Sequence, residues 1–260
     1  MEKAVYGLIG YPLGHSFSAA YFNAKFEKEN LNATFQNFAL EHLDALPQLL
    51  KAEQHLKGFS VTIPYKEAII PYLTQLDPLA KAIGAVNCVK IIRNQAGEIT
   101  QLIGYNTDEY GFKMSIKPYL NIQHHKALIL GTGGASKAVA HALKELGIAY
   151  FFVSRNPKAG AQPTISYQEI SEEVIKAFYL IINTTPLGTF PDIDGCPTLP
   201  YKGLTEKHLL IDLVYNPPVT AFLAEGNKQG CITINGLSML QLQAEKAWTI
   251  WNASNETSIS

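Results

Sequence analysis

The sequence has few cysteines, almost no net charge and no long apolar run. Its 21 basic and 22 acidic side chains leave a formal net charge of −1 over 260 residues. The chain therefore lacks the basic surface with which proteins bind nucleic acid or an anionic membrane. The three cysteines are scattered without the spacing of metal ligands, a pattern typical of a reduced compartment. We expect a cytoplasmic protein that binds no metal, no nucleic acid and no membrane.

A glycine-rich turn stands near the middle of the chain. The apolar stretch 127–130 has the pattern of a strand, Gly131-Thr132-Gly133-Gly134-Ala135 follows it, and a helix pattern begins at once. Gly131 and Gly133 can adopt backbone angles that other residues avoid, so the main chain can approach a pyrophosphate at the helix N-terminus. Ser136 replaces the third glycine of this fingerprint, and similar turns occur without any ligand. If the turn binds a dinucleotide, the first half of the chain is left for a second domain, most simply one that holds the substrate.

Strand and helix patterns alternate along the whole chain. In the first half, residues 86–92 and 99–104 are predicted to pair antiparallel around a turn at 94–97, which makes the first sheet mixed. We expect one helix from Pro64 to Leu73 and a last helix from Gly236 to Trp251. The second half has short apolar strands between helices, at 128–130, 150–153, 180–183, 209–213 and 232–234. This pattern predicts a parallel, doubly wound sheet, so the fold class is α/β with two domains.

Polar side chains stand next to the ends of predicted strands, namely Ser16, Ser18, Thr62, Lys66, Asn87 and Asp108. The two serines can hold a carboxylate, or they can simply cap the following helix. Lys66 falls in the first turn of a predicted helix, where the helix dipole disfavours a cation, so we expect it to have a partner. Asp108 is either such a partner or a plain first-turn acid.

A series of motifs runs along the chain. They are Gly-x-Pro-x-x-His-Ser-x-Ser at 10–18, Val-Thr-x-Pro-x-Lys at 61–66, Gly-Ala-Val-Asn at 84–87, Gly-x-Asn-Thr-Asp at 104–108, the glycine turn, Asn-Thr-Thr-Pro-Leu-Gly at 183–188, Asp-Leu-Val-Tyr-x-Pro at 212–217 and Gly-x-x-Met-Leu-x-x-Gln at 236–243. In these motifs and their order, the sequence resembles the shikimate dehydrogenase family over nearly its whole length.

The resemblance implies a fold and an activity. It implies an N-terminal mixed-sheet α/β substrate domain, at 1–104 plus 236–260, and a Rossmann-like cofactor domain with a doubly wound parallel sheet, at 105–235. It also implies NADP-dependent interconversion of 3-dehydroshikimate and shikimate, a step of chorismate and aromatic amino acid biosynthesis. The expected partner is this small-molecule substrate, and the expected assembly is a monomer or a homodimer.

The resemblance, taken with the chemistry of the side chains, implies three sets of site residues. The catalytic residues are Lys66 and Asp108. The substrate-binding residues are Ser16, Ser18, Thr62, Asn87, Asp108, Tyr215 and Gln243. The NADP-binding residues are Gly131, Thr132, Gly133, Gly134, Ala135, Ser154, Arg155, Lys158, Thr184, Thr185, Val214 and Gly236.

The chemistry of ketone reduction explains the catalytic pair. Hydride transfer leaves an alkoxide, which the ammonium of Lys66 can protonate, and in the reverse direction the amine can accept the proton. The carboxylate of Asp108 can hold that amine and bind a substrate hydroxyl. His15, in the loop after the first strand, is the rival acid.

Two segments depart from the family's pattern. Thr189 stands where the family usually has methionine against the nicotinamide, so we expect altered cofactor affinity. The family often has Asn-Arg-Thr where this chain has Ser154-Arg155-Asn156. No acid stands at this strand end to bind a free ribose 2′-hydroxyl, whereas Arg155, assisted by Lys158, can meet a 2′-phosphate. We therefore expect NADP to be preferred over NAD.

Other functions remain open at this point. A relative acting on quinate, with relaxed substrate or cofactor choice, fits the same motifs, and a tetrahydrofolate-linked dehydrogenase of similar architecture fits them less well. A non-catalytic NADP-binding sensor is the third candidate. The presence of both Lys66 and Asp108 argues against a sensor, which can dispense with groups for proton transfer.

Overall fold

The computed structural model describes residues 2–14, 16–157 and 163–254. The chain divides into two compact units, with boundaries at 107/108 and 243/244, so that the first unit contains both the N-terminal part and the C-terminal end. The sequence places these boundaries at 104/105 and 235/236. Which unit holds the substrate and which the cofactor stays a prediction.

The first unit is built on a six-stranded mixed sheet with the order β2-β1-β3-β5-β6-β4. Strand β5 runs antiparallel to β6, as the sequence predicts, and also to β3, whereas the other pairs are parallel. The strands are β1 (Ala4–Gly10), β2 (Ala33–Ala39), β3 (Leu56–Val61), β4 (Gln75–Leu76), β5 (Cys88–Arg93) and β6 (Ile99–Tyr105). The helices are α1 (Phe17–Lys28), α2 (Leu46–Ala52), α3 (Tyr65–Ala68) and α4 (Pro78–Ile83). Short 3-10 turns occupy Leu43–Ala45 and Ile70–Tyr72.

The helix predicted from Pro64 to Leu73 is wrong. Helix α3 ends at Ala68, a 3-10 turn follows, and the chain then adds the edge strand β4 beside β6. Pro71 explains the break, because proline has no N–H to continue an α-helical hydrogen-bond series and its ring clashes with the preceding turn.

Both faces of the first sheet are buried. Along β1, Val5 and Ile9 join one apolar cluster while Tyr6 and Leu8 join another, because alternate side chains of a strand point to opposite faces. Helices α2 to α4 contribute to the first cluster, and α1 contributes to the second.

The last helix, α9 (Leu237–Asn252), completes the second cluster with Trp251. The centroid of the Trp251 ring lies 5.1 Å from that of Tyr6 and 5.4 Å from that of Phe22. Its Nε1 donates a hydrogen bond to the carbonyl oxygen of Val89 at 3.0 Å. Gly58 on β3 leaves room for this indole, since a Cβ at that position would overlap the ring.

The second unit is built on a six-stranded sheet in which every pair is parallel, with the order β12-β11-β10-β7-β8-β9. This is the doubly wound Rossmann order, and it confirms the predicted fold class. The strands are β7 (Lys126–Leu130), β8 (Ala149–Ser154), β9 (Thr164–Ser166), β10 (Leu180–Asn183), β11 (Leu209–Asp212) and β12 (Ile232–Ile234). The helices are α5 (Asp108–Ile116), α6 (Gly134–Glu145), α7 (Glu172–Ala177), α8 (Ala221–Lys228) and the first part of α9. Short 3-10 turns occupy Lys117–Tyr119, Tyr167–Glu169 and Tyr201–Gly203.

The sequence missed β9, a short strand at the edge of this sheet. Elsewhere the alternation of β7 divides the core as expected, with Ala127 and Ile129 in one buried cluster and Leu128 and Leu130 in the other. Among the described residues, no helix combines the length and the apolar character that crossing a membrane requires.

The Gly58→Ala variant tests the packing of Trp251. The added methyl group must displace the indole or break its bond to Val89, and such overpacking typically costs about 1–3 kcal/mol. We expect the free energy of unfolding in urea to fall by that amount. The neighbouring exposed Lys57→Ala is the control and should change it by less than about 0.5 kcal/mol. Equal unfolding midpoints for the two variants would show that the ring is not confined here.

Candidate active site

In the first unit, the loops at one end of the sheet gather several of the predicted residues. The carbonyl oxygen of Lys66 accepts a hydrogen bond from Val86 N at 2.7 Å, which brings the first turn of α3 beside the segment that leads to Asn87. Asn87 is buried, and its Oδ1 accepts from Thr107 N at 2.7 Å while its Nδ2 donates to Thr107 Oγ1 at 3.0 Å. The structure thus places Thr62, Lys66 and Asn87 on neighbouring segments.

Ser16 caps helix α1. Its hydroxyl accepts a hydrogen bond from Ala19 N at 3.3 Å, which is the capping role considered from the sequence. A hydroxyl that accepts in this way still has a proton to donate to a carboxylate. Ser18 is buried in the first turn of the same helix. His15, the rival acid, lies outside the described residues.

In the second unit, the glycine turn lies where the strand order reverses. Strand β7 has β8 on one side and β10 on the other, so the turn after β7 opens at the topological switch point, where ligands of such sheets bind. Gly131 has φ +106°, and a Cβ there would lie 2.9 Å from Thr184 Oγ1. A Cβ on Gly133 would meet nothing within 4 Å, so there is open space in front of the N-terminus of α6. Thr132, Gly134 and Ala135 complete this solvent-accessible turn.

The residues predicted to bind the 2′-phosphate lie at the end of the next strand, β8. Ser154 is the last residue of β8, and Arg155 after it is exposed. Burial raises the pKa of Tyr167, an effect that the charge of Arg155 opposes. Lys158 lies outside the described residues.

Beyond the switch point, β10 leads into Thr184 and Thr185. Thr184 is hydrogen-bonded to the end of β7, since both its backbone N and its Oγ1 donate to the carbonyl oxygen of Leu130, at 3.0 and 2.7 Å. Thr185 N and Oγ1 donate to Oδ1 of Asn183 at 3.0 and 2.6 Å. The start of this loop is therefore held in one conformation by its own first residues.

At the end of β11, Asp212 organises the loop that contains Val214 and Tyr215. Asp212 Oδ1 accepts from Asn183 Nδ2 and from Val214 N, both at 3.0 Å, and its Oδ2 accepts from Thr220 Oγ1 at 2.6 Å. Burial raises the pKa of this carboxyl to about 6, although the three hydrogen bonds oppose the rise.

Gly236, which follows the end of β12, is hydrogen-bonded to the same loop. Its N donates to the carbonyl oxygen of Val214 at 3.0 Å. A Cβ on Gly236 would overlap the carbonyl of Leu213, so only glycine allows this approach.

Asp108 and Gln243 lie on two helices of the second unit that pack closely. Asp108 begins α5 and is buried. Gly111, one turn further on, lets α9 approach, since a Cβ there would be 2.6 Å from the carbonyl oxygen of Met239 and 2.9 Å from Gln243 Cβ. Gln243 Nε2 donates to the carbonyl oxygen of Leu240 at 2.9 Å. The catalytic and binding roles of both residues stay predictions.

One group of side chains in the second unit has the composition of a metal site. Ligand atoms of Glu109, His141 and Glu145 lie within 4.8 Å of one another. Lys113 Nζ lies 2.8 Å from Glu109 Oε1 and also binds Glu145, so an ammonium already offsets part of the charge of the two carboxylates. The expectation that the protein binds no metal stays a prediction.

Comparison with known proteins identifies the family. Residues 8–89 match the model of the shikimate dehydrogenase substrate binding domain. An NADP(+)-dependent shikimate dehydrogenase of Methanococcus maripaludis strain C6 is 40% identical over 261 residues, which cover 94% of this chain and 90% of that protein. This chain belongs to the shikimate dehydrogenase family.

Solved structures of shikimate dehydrogenases have the same fold. The enzyme of Aquifex aeolicus is 33% identical, with a TM-score of 0.83 and coverage of 99% of this chain and 94% of that one. The Thermus thermophilus enzyme, in complex with NADP(H) and shikimate, is 31% identical, with a TM-score of 0.82 and coverage of 96% and 93%.

Four residues that organise these loops were not predicted from the sequence, namely Thr107, Asn183, Asp212 and Thr220. Three of them lie inside the family motifs, but the sequence alone assigns them no role. A signal was available for two, because Asn183 and Asp212 end apolar strands, where a polar side chain must bind a neighbouring loop or a ligand.

The pKa of Asp212 predicts a pH dependence of stability. The folded-state pKa of about 6 exceeds the ordinary value of 3.8, so between these values the folded protein binds the extra proton. The contribution of Asp212 to the free energy of unfolding then falls as the pH rises through this window, by about 3 kcal/mol in all.

The Asp212→Asn variant isolates this effect, because its amide cannot ionise. We expect the free energy of unfolding of the wild type, taken relative to this variant, to fall by about 3 kcal/mol between about pH 4 and pH 7. Urea titrations at several pH values measure it. A difference that stays constant with pH would contradict the assigned cause, namely burial of the carboxylate.

Proposed function

We propose that this protein catalyses the NADP-dependent interconversion of 3-dehydroshikimate and shikimate. The observation that carries the proposal is the similarity, over 96% of the chain, to a shikimate dehydrogenase in complex with NADP(H) and shikimate. The name of the 40% identical Methanococcus maripaludis relative agrees with it. By this activity the protein acts in chorismate and aromatic amino acid biosynthesis.

The second unit fits the cofactor. The open space at Gly133, in front of the N-terminus of α6, suits a pyrophosphate. Arg155 binds the 2′-phosphate, with Lys158 assisting, and Ser154 borders the adenine ribose. The nicotinamide end is bound by Thr184, Thr185, Val214 and Gly236. When bound, the cofactor supplies or accepts the hydride.

The first unit supplies most of the substrate site. Ser16 and Ser18 bind the carboxylate of shikimate, and Thr62 and Tyr215 also bind the substrate. Asn87, Asp108 and Gln243 bind the ring hydroxyls, which need groups that donate and accept. Asn87 suits this role because Thr107 fixes the orientation of its amide.

Lys66 and Asp108 form the catalytic pair. Reduction of the ketone places negative charge on its oxygen, and Lys66 Nζ donates the proton that neutralises it. In the oxidative direction the neutral amine removes the proton from the hydroxyl. Asp108 orients the amine and accepts a hydrogen bond from an adjacent hydroxyl.

We also propose a cytoplasmic location, supported by the free thiols of Cys88, Cys196 and Cys231. The proposed assembly is a monomer or a homodimer.

The purified protein should be assayed with NADP+ or NAD+ and with shikimate or quinate, by the absorbance of the reduced cofactor. We expect the highest kcat/KM for NADP+ with shikimate. Preference for quinate would favour the relaxed relative, and turnover with none of the four pairs while NADP+ binds would favour a sensor.

Because no acid follows β8 and Arg155 does, Arg155→Ala should raise the KM for NADP+ and leave that for NAD+ unchanged. Equal changes in KM for both cofactors would show that Arg155 does not bind the 2′-phosphate.

The catalytic pair is tested by Lys66→Ala, Asp108→Ala and their combination. General acid–base groups contribute about 10²–10⁴-fold, so Lys66→Ala should lower kcat on that scale while NADP+ binding and folding persist. The double variant should lose far less than the product of the two single losses, because the residues act as a unit. The exposed Lys81→Ala of the same unit is the control and should retain full activity. A larger loss in His15→Ala than in Lys66→Ala would transfer the role of acid to His15.

A further inference from the structure

Asp212 is a buried carboxylate that the proposed chemistry does not use. Its residue is fully buried at the end of β11, and the side chains that contact it, Asn183 and Thr220, are buried as well. Among the described residues, no lysine, arginine or histidine forms an ion pair with it, and its hydrogen-bond donors are an amide, a hydroxyl and a backbone N–H. Burying a charge without a nearby cation costs free energy, so the presence of a carboxylate at this position calls for a specific reason.

Its partners belong to two different loops. Asn183 ends β10, and through the same side chain it holds Thr185 at the start of the loop after that strand. Val214 N and Thr220 Oγ1 belong to the beginning and the end of the loop after β11. The carboxylate therefore joins both ends of one loop to the start of the other.

Two other contacts join the two loops. Phe190 N donates to the carbonyl oxygen of Asn216 at 3.1 Å. Gly188, with φ +83°, lies beside Thr220, since a Cβ on it would be in van der Waals contact with Thr220 Cβ at 3.5 Å. The loops therefore contact each other at points away from Asp212.

A carboxylate suits this junction better than an amide. Both carboxylate oxygens accept hydrogen bonds and neither donates, so Asp212 can satisfy three donors at once. An asparagine would keep one accepting oxygen for Asn183 and Val214 but would present an N–H to the Thr220 hydroxyl. That hydroxyl would then have to rotate, because it also accepts from Leu223 N as the cap of α8.

We propose that Asp212 is a positioning residue that, together with Asn183 and Thr220, aligns the loops after β10 and β11 for binding the nicotinamide end of NADP. The inference rests on the proposed function, because that function places Thr184, Thr185 and Val214 against the cofactor. Asp212 does not touch the reacting atoms. It acts through the backbone of Val214 and the side chain of Asn183.

The test compares Asp212→Ala with Leu210→Ala. Leu210 is fully buried on the same strand and contacts neither loop through these bonds, so its truncation destabilises the unit without removing the junction. Misplacement of binding groups by about 1 Å can cost on the order of 10²-fold in rate. We expect Asp212→Ala to lower kcat/KM for NADP+ on that scale and to raise the KM for NADP+ more than that for shikimate. Leu210→Ala should stay within about threefold of the wild type at a temperature where both variants are folded.

A reciprocal exchange tests the hydrogen bond itself. Asn183→Asp alone sets two carboxylates against each other, and Asp212→Asn alone weakens the bond to Thr220. The double exchange lets the amide at 212 donate to the carboxylate at 183 and accept from Thr220, but it loses the bond from Val214 N, so it should recover only part of the activity that Asn183→Asp loses. If Asp212→Ala does not fold, the single variants carry the test, and wild-type kcat/KM for NADP+ in both Asn183→Asp and Asp212→Asn would overturn the proposal.

Hydrogen–deuterium exchange of the cofactor-free protein gives a readout that does not depend on activity. Amides of 184–190 and 213–220 should exchange at least about tenfold faster in Asp212→Ala than in Leu210→Ala, because only the first variant releases the loops. Equal exchange rates and equal NADP+ affinities of Asp212→Ala and Leu210→Ala, the affinities measured by calorimetry, would overturn the proposal, because Asp212 would then only stabilise the fold. If the wild type binds NADP+ but turns over no substrate, the proposed function fails, whereas the exchange rates still decide whether Asp212 aligns the loops.

Discussion

The hydrogen bond between Asn183 Nδ2 and Asp212 Oδ1 joins the ends of two neighbouring parallel strands. Parallel strands deliver their loops to the same edge of a sheet, but the sheet itself does not fix how those loops lie against each other. In this protein, polar side chains at the last positions of β10 and β11 fix them. The Thr184 bonds to Leu130 extend the arrangement to the switch point, and the bond from Gly236 to Val214 extends it to the next strand end.

The same principle operates in the first unit with different groups. There, Asn87 and Thr107 hold the beginning of β5 against the segment after β6, through an amide and a hydroxyl that each can donate and accept. This pair fixes a predicted substrate-binding side chain, since an amide with bonds at both ends cannot turn over. Preorganised polar groups of this kind bind a hydroxylated ligand without reordering, which is why they favour specificity.

The sequence predicts well those features that depend on local chemistry. The glycine turn, the cap at Ser16 and the doubly wound sheet all follow from residue type and short-range spacing. Strand β9 is too short to show a pattern, so its place beside β8 follows only from the fold. The break after Ala68 is different, since Pro71 is a local signal against the predicted helix from Pro64 to Leu73. The sequence assigns Asp212 no role of its own, because only the strand order reveals that β10 and Asn183 lie beside it.

The choice of a carboxylate at position 212 has a consequence that the amide pair of the first unit does not share. Asn87 and Thr107 do not ionise near neutral pH, so the geometry that they fix is insensitive to pH. Asp212 has a pKa raised to about 6 by burial, and protonation would put a donor where Thr220 now donates. The junction of the second unit is therefore strongest above that pH, where the ionised form accepts all three bonds, whereas the contribution of Asp212 to the free energy of unfolding is largest below it. The alignment of the loops therefore favours the ionised carboxylate of Asp212, whereas the stability of the folded chain favours its protonated form.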